Sequence, residues 1–335
     1  MIITIPYLSA LNLDWQPDWS AIFGADRRLI VEIGFGRGTF LAHLARTFPD
    51  HNVVGVEVAN RSLESAERMI AYERLENIRV VHSTGETALA HLLAPASVAQ
   101  FHVNFPDPWF KTSHSHRRIM QRDTLDAIVS RLMPNGWFYL ATDILEYAEM
   151  TAALLAATPG LTNQLDAPFV HEISGRVVTK YEATARMEGR NCHYFAYRRN
   201  TQPAPLIPVI KELEMPHLVF STPLTLDDMF ATFKHTVEGA ISEHETYIHL
   251  VAAFRGTDDA LLVETSITEP TIQQHIALNV VGRWRSGHPG EYTVQVSTIG
   301  HPRMTAGVHR AVRLLGERLI ALHPDARKLH DKLKD

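Results

Sequence analysis

Short apolar runs of strand length recur along the first part of the chain and alternate with stretches whose apolar positions repeat at helical spacing. Leu29 to Val31, Asn52 to Val58, Ile78 to Val81, Gln100 to Asn104 and Gly136 to Thr142 read as buried strands, with a final one at His193 to Tyr197. Between them, Thr39 to Arg46 reads as a helix, and Leu63, Ala66, Met69 and Ile70 form the apolar stripe of another. Further helices are expected near Thr87 to Leu93, Asp123 to Leu132 and Leu145 to Ala157, the last ended by Pro159-Gly160. Pro134-Asn135-Gly136 marks a turn before the fifth strand. Strict alternation of this kind predicts an α/β fold, a parallel sheet with helices on both faces.

The pattern changes at both ends. Residues 1–28 contain Trp15 and Trp19 without clear periodicity and are expected to pack as an irregular cap on a domain of residues 29–200. Residues 201–210 carry three prolines and read as a linker. Beyond it, strands at His217 to Ser221, Tyr247 to Phe254, Ala260 to Thr268 and Tyr292 to Ser297 combine with helices at Leu226 to Phe233 and Thr305 to Leu322. There the alternation is no longer strict, and residues 211–335 are expected to form an α+β module.

The candidate chemistry lies at the carboxyl ends of the strands. The first strand runs into Glu32-Ile33-Gly34-Phe35-Gly36-Arg37-Gly38 and a helix start. Gly34 and Gly36 let the backbone approach a ligand closely. The spacing differs from the dinucleotide fingerprint, and a carboxylate at Glu32 repels a pyrophosphate but suits a cation, such as the sulfonium and amino group of S-adenosylmethionine. Glu57 ends the second strand, where a carboxylate can accept ribose hydroxyls or simply be a surface acid. Ser83 and Thr84 follow the third strand, where an adenine edge would sit. The fourth strand ends in Asn104-Phe105-Pro106-Asp107-Pro108-Trp109. Two prolines fix their own φ and push the residues before them toward extended backbone, so Asp107 is presented from a stiff loop. A proline-rich turn that merely ends a strand would read the same way.

With these motifs in this order, residues 29–198 resemble the tRNA (guanine-N7)-methyltransferases, which modify guanine 46 in the variable loop. The resemblance rests on Glu32-Ile33-Gly34-Phe35-Gly36, Gly55-Val56-Glu57-Val58, Phe105-Pro106-Asp107-Pro108-Trp109 with Lys111 and Arg117-Arg118, Ala141-Thr142-Asp143, and Thr179-Lys180-Tyr181-Glu182. The glycine motif is shared with most class I methyltransferases; the proline-flanked aspartate with its basic tail is far more specific. The resemblance implies a Rossmann-like class I methyltransferase sheet, S-adenosylmethionine as cofactor and tRNA as substrate. It implies cofactor contacts at Glu32, Gly34, Gly36, Glu57, Ser83, Thr84, Asn104 and Asp107, with Asp107 also the catalytic residue. It further implies tRNA contacts at Lys111, Arg117, Arg118, Asp143, Thr179, Lys180, Tyr181 and Glu182. The family's pattern has an acid after the third strand where this chain has Ser83 and Thr84. It also has a more basic segment after Trp109, where this chain has His114 and His116, implying RNA binding that is weaker or pH-dependent near neutrality. Thr179 and Glu182 also match a helix capping box, a role compatible with substrate contact.

Composition narrows the picture. A chain of 335 residues with 45% hydrophobic content can bury a sizeable core. No apolar run is long enough to span a membrane, and the N-terminus lacks a signal pattern. The single cysteine, Cys192, excludes an internal disulfide and fits a reducing cytoplasm. The 19 histidines are scattered without ligand spacing, so no metal is expected. A net charge of −5 does not advertise a nucleic-acid binder, so the RNA signal must be local. Lys111 to Arg122 holds four cations and no acid, and the tail from Arg303 holds eight cations against four acids, a second expected RNA-facing surface. No obligate protein partner is indicated, and a monomer or homodimer is expected. Other classes fit less well. A nicotinamide oxidoreductase is opposed by Glu32 and the glycine spacing. A non-catalytic RNA-binding relative is opposed by the joint presence of Glu32, Glu57 and Asp107. A class I methyltransferase acting on a protein or a small molecule is opposed by the basic run after Trp109, while one acting on another RNA stays an alternative.

Overall fold

The computed structural model describes residues 7–109, 118–207, 210–233, 240–243, 245–256, 260–299 and 302–334. Two compact units divide the chain, Met1–Ile210 and Lys211–Asp335.

In the first unit, eight strands form one sheet: β1 (Leu8–Ser9), β2 (Arg28–Ile33), β3 (His51–Glu57), β4 (Ile78–His82), β5 (Val98–Asn104), β6 (Leu132–Thr142), β7 (Leu161–Asn163) and β8 (His193–Arg199). Their order is β1-β4-β3-β2-β5-β6-β8-β7. The first six strands in that order are mutually parallel. β8 runs antiparallel between β6 and β7, so the parallel sheet expected from strict alternation becomes a mixed one at this side. The helices are α1 (Trp19–Phe23), α2 (Thr39–Thr47), α3 (Asn60–Glu73), α4 (Gly85–Thr87, continued by one wider turn to Leu92), α5 (Arg122–Arg131), α6 (Leu145–Ala156) and α7 (Lys180–Met187).

Successive strand residues point to opposite faces, and two cores result. Ile30, Val53 and Val80 pack under α2 and α3 against Leu41, Leu63 and Ile70. Val31, Val54, Phe101 and Phe138 pack against Leu125 and Ile128 of α5 and Tyr147 and Leu155 of α6. Each fully buried side chain of this size contributes about 1.5–3 kcal/mol. Strand order reverses between β2 and β5, the place where open α/β sheets form a ligand crevice.

Three details differ from the sequence expectation. The segment before Arg28 is not wholly irregular. Leu8 and Ser9 extend the sheet beside β4, and α1 forms because Asp18 caps its first turn while Gly24, at φ +69°, ends it. Trp19 and Phe23 pack on the second core, and Trp19 Nε1 donates to the Leu92 carbonyl at 3.2 Å. Pro134-Asn135-Gly136 lies inside β6, where the register against β5 shifts between Val98 and Gln100. The short edge strand β7 carried too few apolar residues to be read.

The second unit is a seven-stranded antiparallel sheet of β9 (His217–Ser221), β10 (Ala240–Glu243), β11 (Thr246–Arg255), β12 (Ala260–Glu269), β13 (Ile272–Gly282), β14 (Glu291–Val296) and β15 (Arg327–Asp331), with helices α8 (Leu226–Phe233) and α9 (Ala306–Ile320). Val308, Ala311, Val312, Leu315 and Leu319 form the buried stripe of α9 over Leu250, Val263, Leu278 and Val294. Polar residues on the outer face of β13, and the all-exposed β15, concealed these strands in the sequence. The expected basic tail is not a continuous surface: Arg303 is buried, and Arg310 donates to Thr246 Oγ1 at 2.8 Å. Trp284 stands half exposed in a short turn with the Arg285 guanidinium 5.0 Å from its ring centre.

Candidate active site

The crevice at the β2/β5 reversal is lined by Glu32, Gly34, Gly36, Phe40, Asn104 and Phe105, together with Thr179, Lys180 and Tyr181 from the start of α7. Backbone geometry shapes its floor. Gly34 (φ +73°), Gly36 (φ +57°) and Gly38 (φ +81°) adopt left-handed conformations that side-chain-bearing residues rarely adopt. The turn is held from below by Glu57, whose Oε2 accepts the Gly36 N–H at 3.0 Å while Oε1 accepts Val58 N–H at 2.8 Å. Tyr181 covers the turn, its ring edge being the nearest atom to a Cβ built on Gly36, at 3.9 Å.

Glu32 is the electrostatic centre. It is 1% exposed. Asn104 Nδ2 donates to its Oε1 at 2.8 Å, and Arg176 donates to Asn104 Oδ1 at 3.0 Å. Oε2 is buried without a hydrogen-bond partner among the described residues. Burial pushes the carboxyl up to about 8, a shift that the Asn104 hydrogen bond and the Arg176 charge only partly oppose and that Glu57 adds to. Arg176 lies over the rings of Phe40 and Tyr194, 4.5 and 5.2 Å from their centres. Burial pushes the neighbouring His102 down to about 3, leaving it neutral beside that guanidinium. An unpaired buried carboxylate oxygen beside a Cβ-free turn fits the amino or sulfonium cation of S-adenosylmethionine.

The adenine-side residues are arranged differently. Ser83 is buried and donates through Oγ to the Thr84 carbonyl at 3.0 Å. Thr84 Oγ1 accepts the Thr87 N–H at 3.1 Å as the cap of α4. Both hydroxyls therefore serve their own turn.

Asp107 is exposed, does not line the crevice, and makes no hydrogen bond or ion pair among the described residues. Its loop is strained rather than uniformly extended. Phe105, directly before Pro106, has φ +51°, and Trp109 has φ +43°. The expectation that proline would hold Phe105 extended fails. Its N–H is instead pulled onto the Ala141 carbonyl at 2.7 Å, across to β6. Arg118 donates through Nε to the Pro108 carbonyl at 2.8 Å and through an Nη to the Trp109 carbonyl at 3.1 Å. It braces the loop, with these donors engaged by backbone carbonyls. Lys111 and Arg117 lie outside the described residues.

Asp143 directly follows β6 and pairs with Arg190, which also holds Glu188. Thr179 and Glu182 form the capping box, with Thr179 Oγ1 accepting the Glu182 N–H at 3.2 Å, and the buried Glu182 carboxylate pairs with Arg186 at 2.7 Å. Lys180 and Tyr181 are left exposed over the crevice. The structure thus gathers Glu32, Gly34, Gly36, Asn104, Thr179, Lys180 and Tyr181 around one pocket, with Glu57 beneath. It leaves Ser83, Thr84, Asp107, Asp143, Glu182 and Arg118 off its walls. Arg176 and Arg190 were missed by sequence reading, because each sits in a loop without a motif around it.

A family model described as "Putative methyltransferase" matches residues 26–195. A protein of Paraburkholderia xenovorans named tRNA (guanine-N(7)-)-methyltransferase is 34% identical over 184 residues, covering 55% of this chain and 70% of that protein. One of the same name from Burkholderia lata is 35% identical over 195 residues, covering 58% and 74%. A third, from Burkholderia cenocepacia, is 36% identical over 184 residues, covering 55% and 72%. A crystal structure of the 16S rRNA methyltransferase KamB aligns with 58% of this chain and 100% of its own at 15% identity and a TM-score of 0.44. Matched through its first unit, with the motifs at the strand ends in place, the chain belongs to the tRNA (guanine-N7)-methyltransferase family.

Proposed function

We propose that this protein transfers a methyl group from S-adenosylmethionine to N7 of a guanine in tRNA, at position 46. The observation that carries the reading is the buried Glu32–Asn104 pair, facing a Cβ-free glycine turn, with the Asp107 loop issuing directly from Asn104. Bound S-adenosylmethionine supplies an electrophilic methyl on a sulfonium. Glu32 binds its cationic end, Glu57 offers carboxylate oxygens to the ribose once the Gly36 N–H shares them, and Gly34 and Gly36 leave room for its backbone.

Guanine N7 carries a free in-plane lone pair, so no proton must leave before attack. The protein's task is to hold the base in line with the sulfur–methyl bond and keep water out. Tyr181 offers a ring at the crevice mouth against which a base can lie. Positive charge leaves sulfur and appears on the guanine ring, and Asp107 holds the base edge and stabilises that charge. Thr179 and Lys180 line the entry, Asp143 and Glu182 are further substrate contacts on this reading, and Lys111 and Arg117 contact phosphates. A tRNA substrate and a single cysteine favour the cytoplasm as the place of action.

Purified protein incubated with labelled S-adenosylmethionine and unmodified tRNA, with guanine or adenine at position 46, tests the reading. Label only with guanine, at N7, is expected; label on both RNAs moves the target, and no label despite cofactor binding removes the activity.

A further inference from the structure

Next to the crevice, and sharing Gly36, Arg37, Lys180 and Tyr181 with it, lies a second concavity whose further walls include Arg61, Ser65 and Arg68. Among the described residues no acidic one lines it. Its construction follows from chain geometry. Arg61, Ser65 and Arg68 stand at i, i+4 and i+7 of α3, hence on one stripe of the helix, opposite the buried Leu63, Ala66 and Ile70. Arg37 is projected from the glycine turn itself, between Gly36 and Gly38, whose left-handed backbone brings the turn against Ala66 and Met69 of the same helix. Lys180 completes the wall from the first turn of α7. Four cations thus converge from three separate elements.

Among the described residues Arg37, Arg61 and Arg68 make no hydrogen bond or ion pair, whereas Arg46, Arg122, Arg186 and Arg190 of the same unit are each paired with a carboxylate. In a protein of net charge −5, several guanidinium groups lining one concavity, with no carboxylate paired to them among the described residues, make a local positive field that attracts an anion. Guanidinium forks match phosphate oxygens bidentately, and Ser65 adds a hydroxyl donor.

Resting on the tRNA reading above, we infer that this concavity is a docking site for the phosphodiester backbone of the substrate tRNA. Arg37, Arg61, Arg68 and Lys180 hold the strand that flanks the target nucleotide, while the base enters the adjoining crevice past Tyr181. The basic residues of α3 thereby share the phosphate-docking role that sequence motifs assign to Lys111, Arg117 and Arg118.

Two variants test this, Arg61→Ala/Arg68→Ala and the charge reversal Arg61→Glu/Arg68→Glu, both on exposed positions. Binding of full-length protein to unmodified tRNA is measured between 50 and 200 mM salt, a window in which about six to ten phosphate contacts cost ~10³–10⁵ in affinity. S-adenosylmethionine affinity and melting temperature are measured in parallel. The alanine pair is expected to weaken tRNA binding about tenfold and to flatten the slope of log K against log salt by roughly 1.4–1.8, at ~0.7–0.9 per lost contact. Cofactor affinity and melting temperature stay unchanged, and the reversal weakens tRNA binding further. An unaltered slope and affinity in both variants, in a protein whose wild type methylates tRNA, overturns the docking site alone. A wild type that transfers no methyl to tRNA overturns the substrate reading and the docking site with it.

Discussion

Asn104 Nδ2 meets Glu32 Oε1 at 2.8 Å across the reversal of strand order, β5 to β2, and leaves Glu32 Oε2 with no partner among the described residues. Half of a buried carboxylate is thus satisfied by the protein, and half is left for a ligand. The fold holds this acid at about 8 rather than near 4.5, because burial disfavours the charged form. A raised carboxyl contributes stability that is fully present below the unfolded value and is lost as pH rises through about 8.

Glu32→Gln removes that loss. The variant is expected to match the wild type near pH 5 and to exceed it by on the order of a few kcal/mol above pH 8, while S-adenosylmethionine binding falls to background. Urea midpoints at pH 5, 7 and 9 decide it; a difference between the two proteins that is constant with pH would contradict the burial argument.

Asn104→Ala leaves Glu32 Oε1 and Arg176 without their shared bridge. A loss of about 1–3 kcal/mol of stability is expected, with cofactor affinity lowered at least tenfold. Thermal unfolding alongside calorimetric titration measures both. Unchanged cofactor affinity in a folded variant would show that the bridge does not position Glu32.

Asp107→Asn keeps the loop shape and removes the charge. Cofactor affinity is expected to hold, and single-turnover methyl transfer to fall. A charge 4 Å from the forming cation is worth about 1 kcal/mol in water and ~4 kcal/mol at an effective dielectric near 20. The fall therefore lies between roughly fivefold and a thousandfold, and its size reports how far tRNA binding dries the loop. Turnover equal to wild type removes Asp107 from the chemistry.

Gly55→Ala places a methyl 2.6 Å from both Leu41 Cδ2 and Phe35 Cδ1. Overpacking of this kind costs about 1–3 kcal/mol, and displacement of Phe35 carries into the glycine turn. A lower melting temperature together with weaker cofactor binding is expected; a lower melting temperature alone would separate the strand from the turn.

Much of the first unit was legible because its strands are buried on both faces and so read as plain apolar runs, as Asn52 to Val58 did. α3 was legible from Leu63, Ala66 and Ile70. The antiparallel β8 was located but not oriented, since a run such as His193 to Tyr197 carries no direction. In the second unit, Gln273 and His275 on the outer face of β13 hid a strand whose inner residues are plainly core. At the site, Glu32, Gly34 and Gly36 were found because a motif surrounds them. Arg176 was invisible: a single arginine in a loop acquires meaning only when folding slides it between Phe40 and Tyr194. Ser83 and Thr84 follow β4 as expected, and their hydroxyls first satisfy their own turn, a contact the sequence pattern does not show.

The direction of β8 has a further effect. Thr142 pairs with His193 and Trp137 with Arg198, so the last strand starts at the rim that carries Glu32 and Asn104 and ends at the opposite rim. Trp137 and Arg198 therefore sit at the end of the sheet away from the reacting groups, and substitutions there probe packing without touching the chemistry.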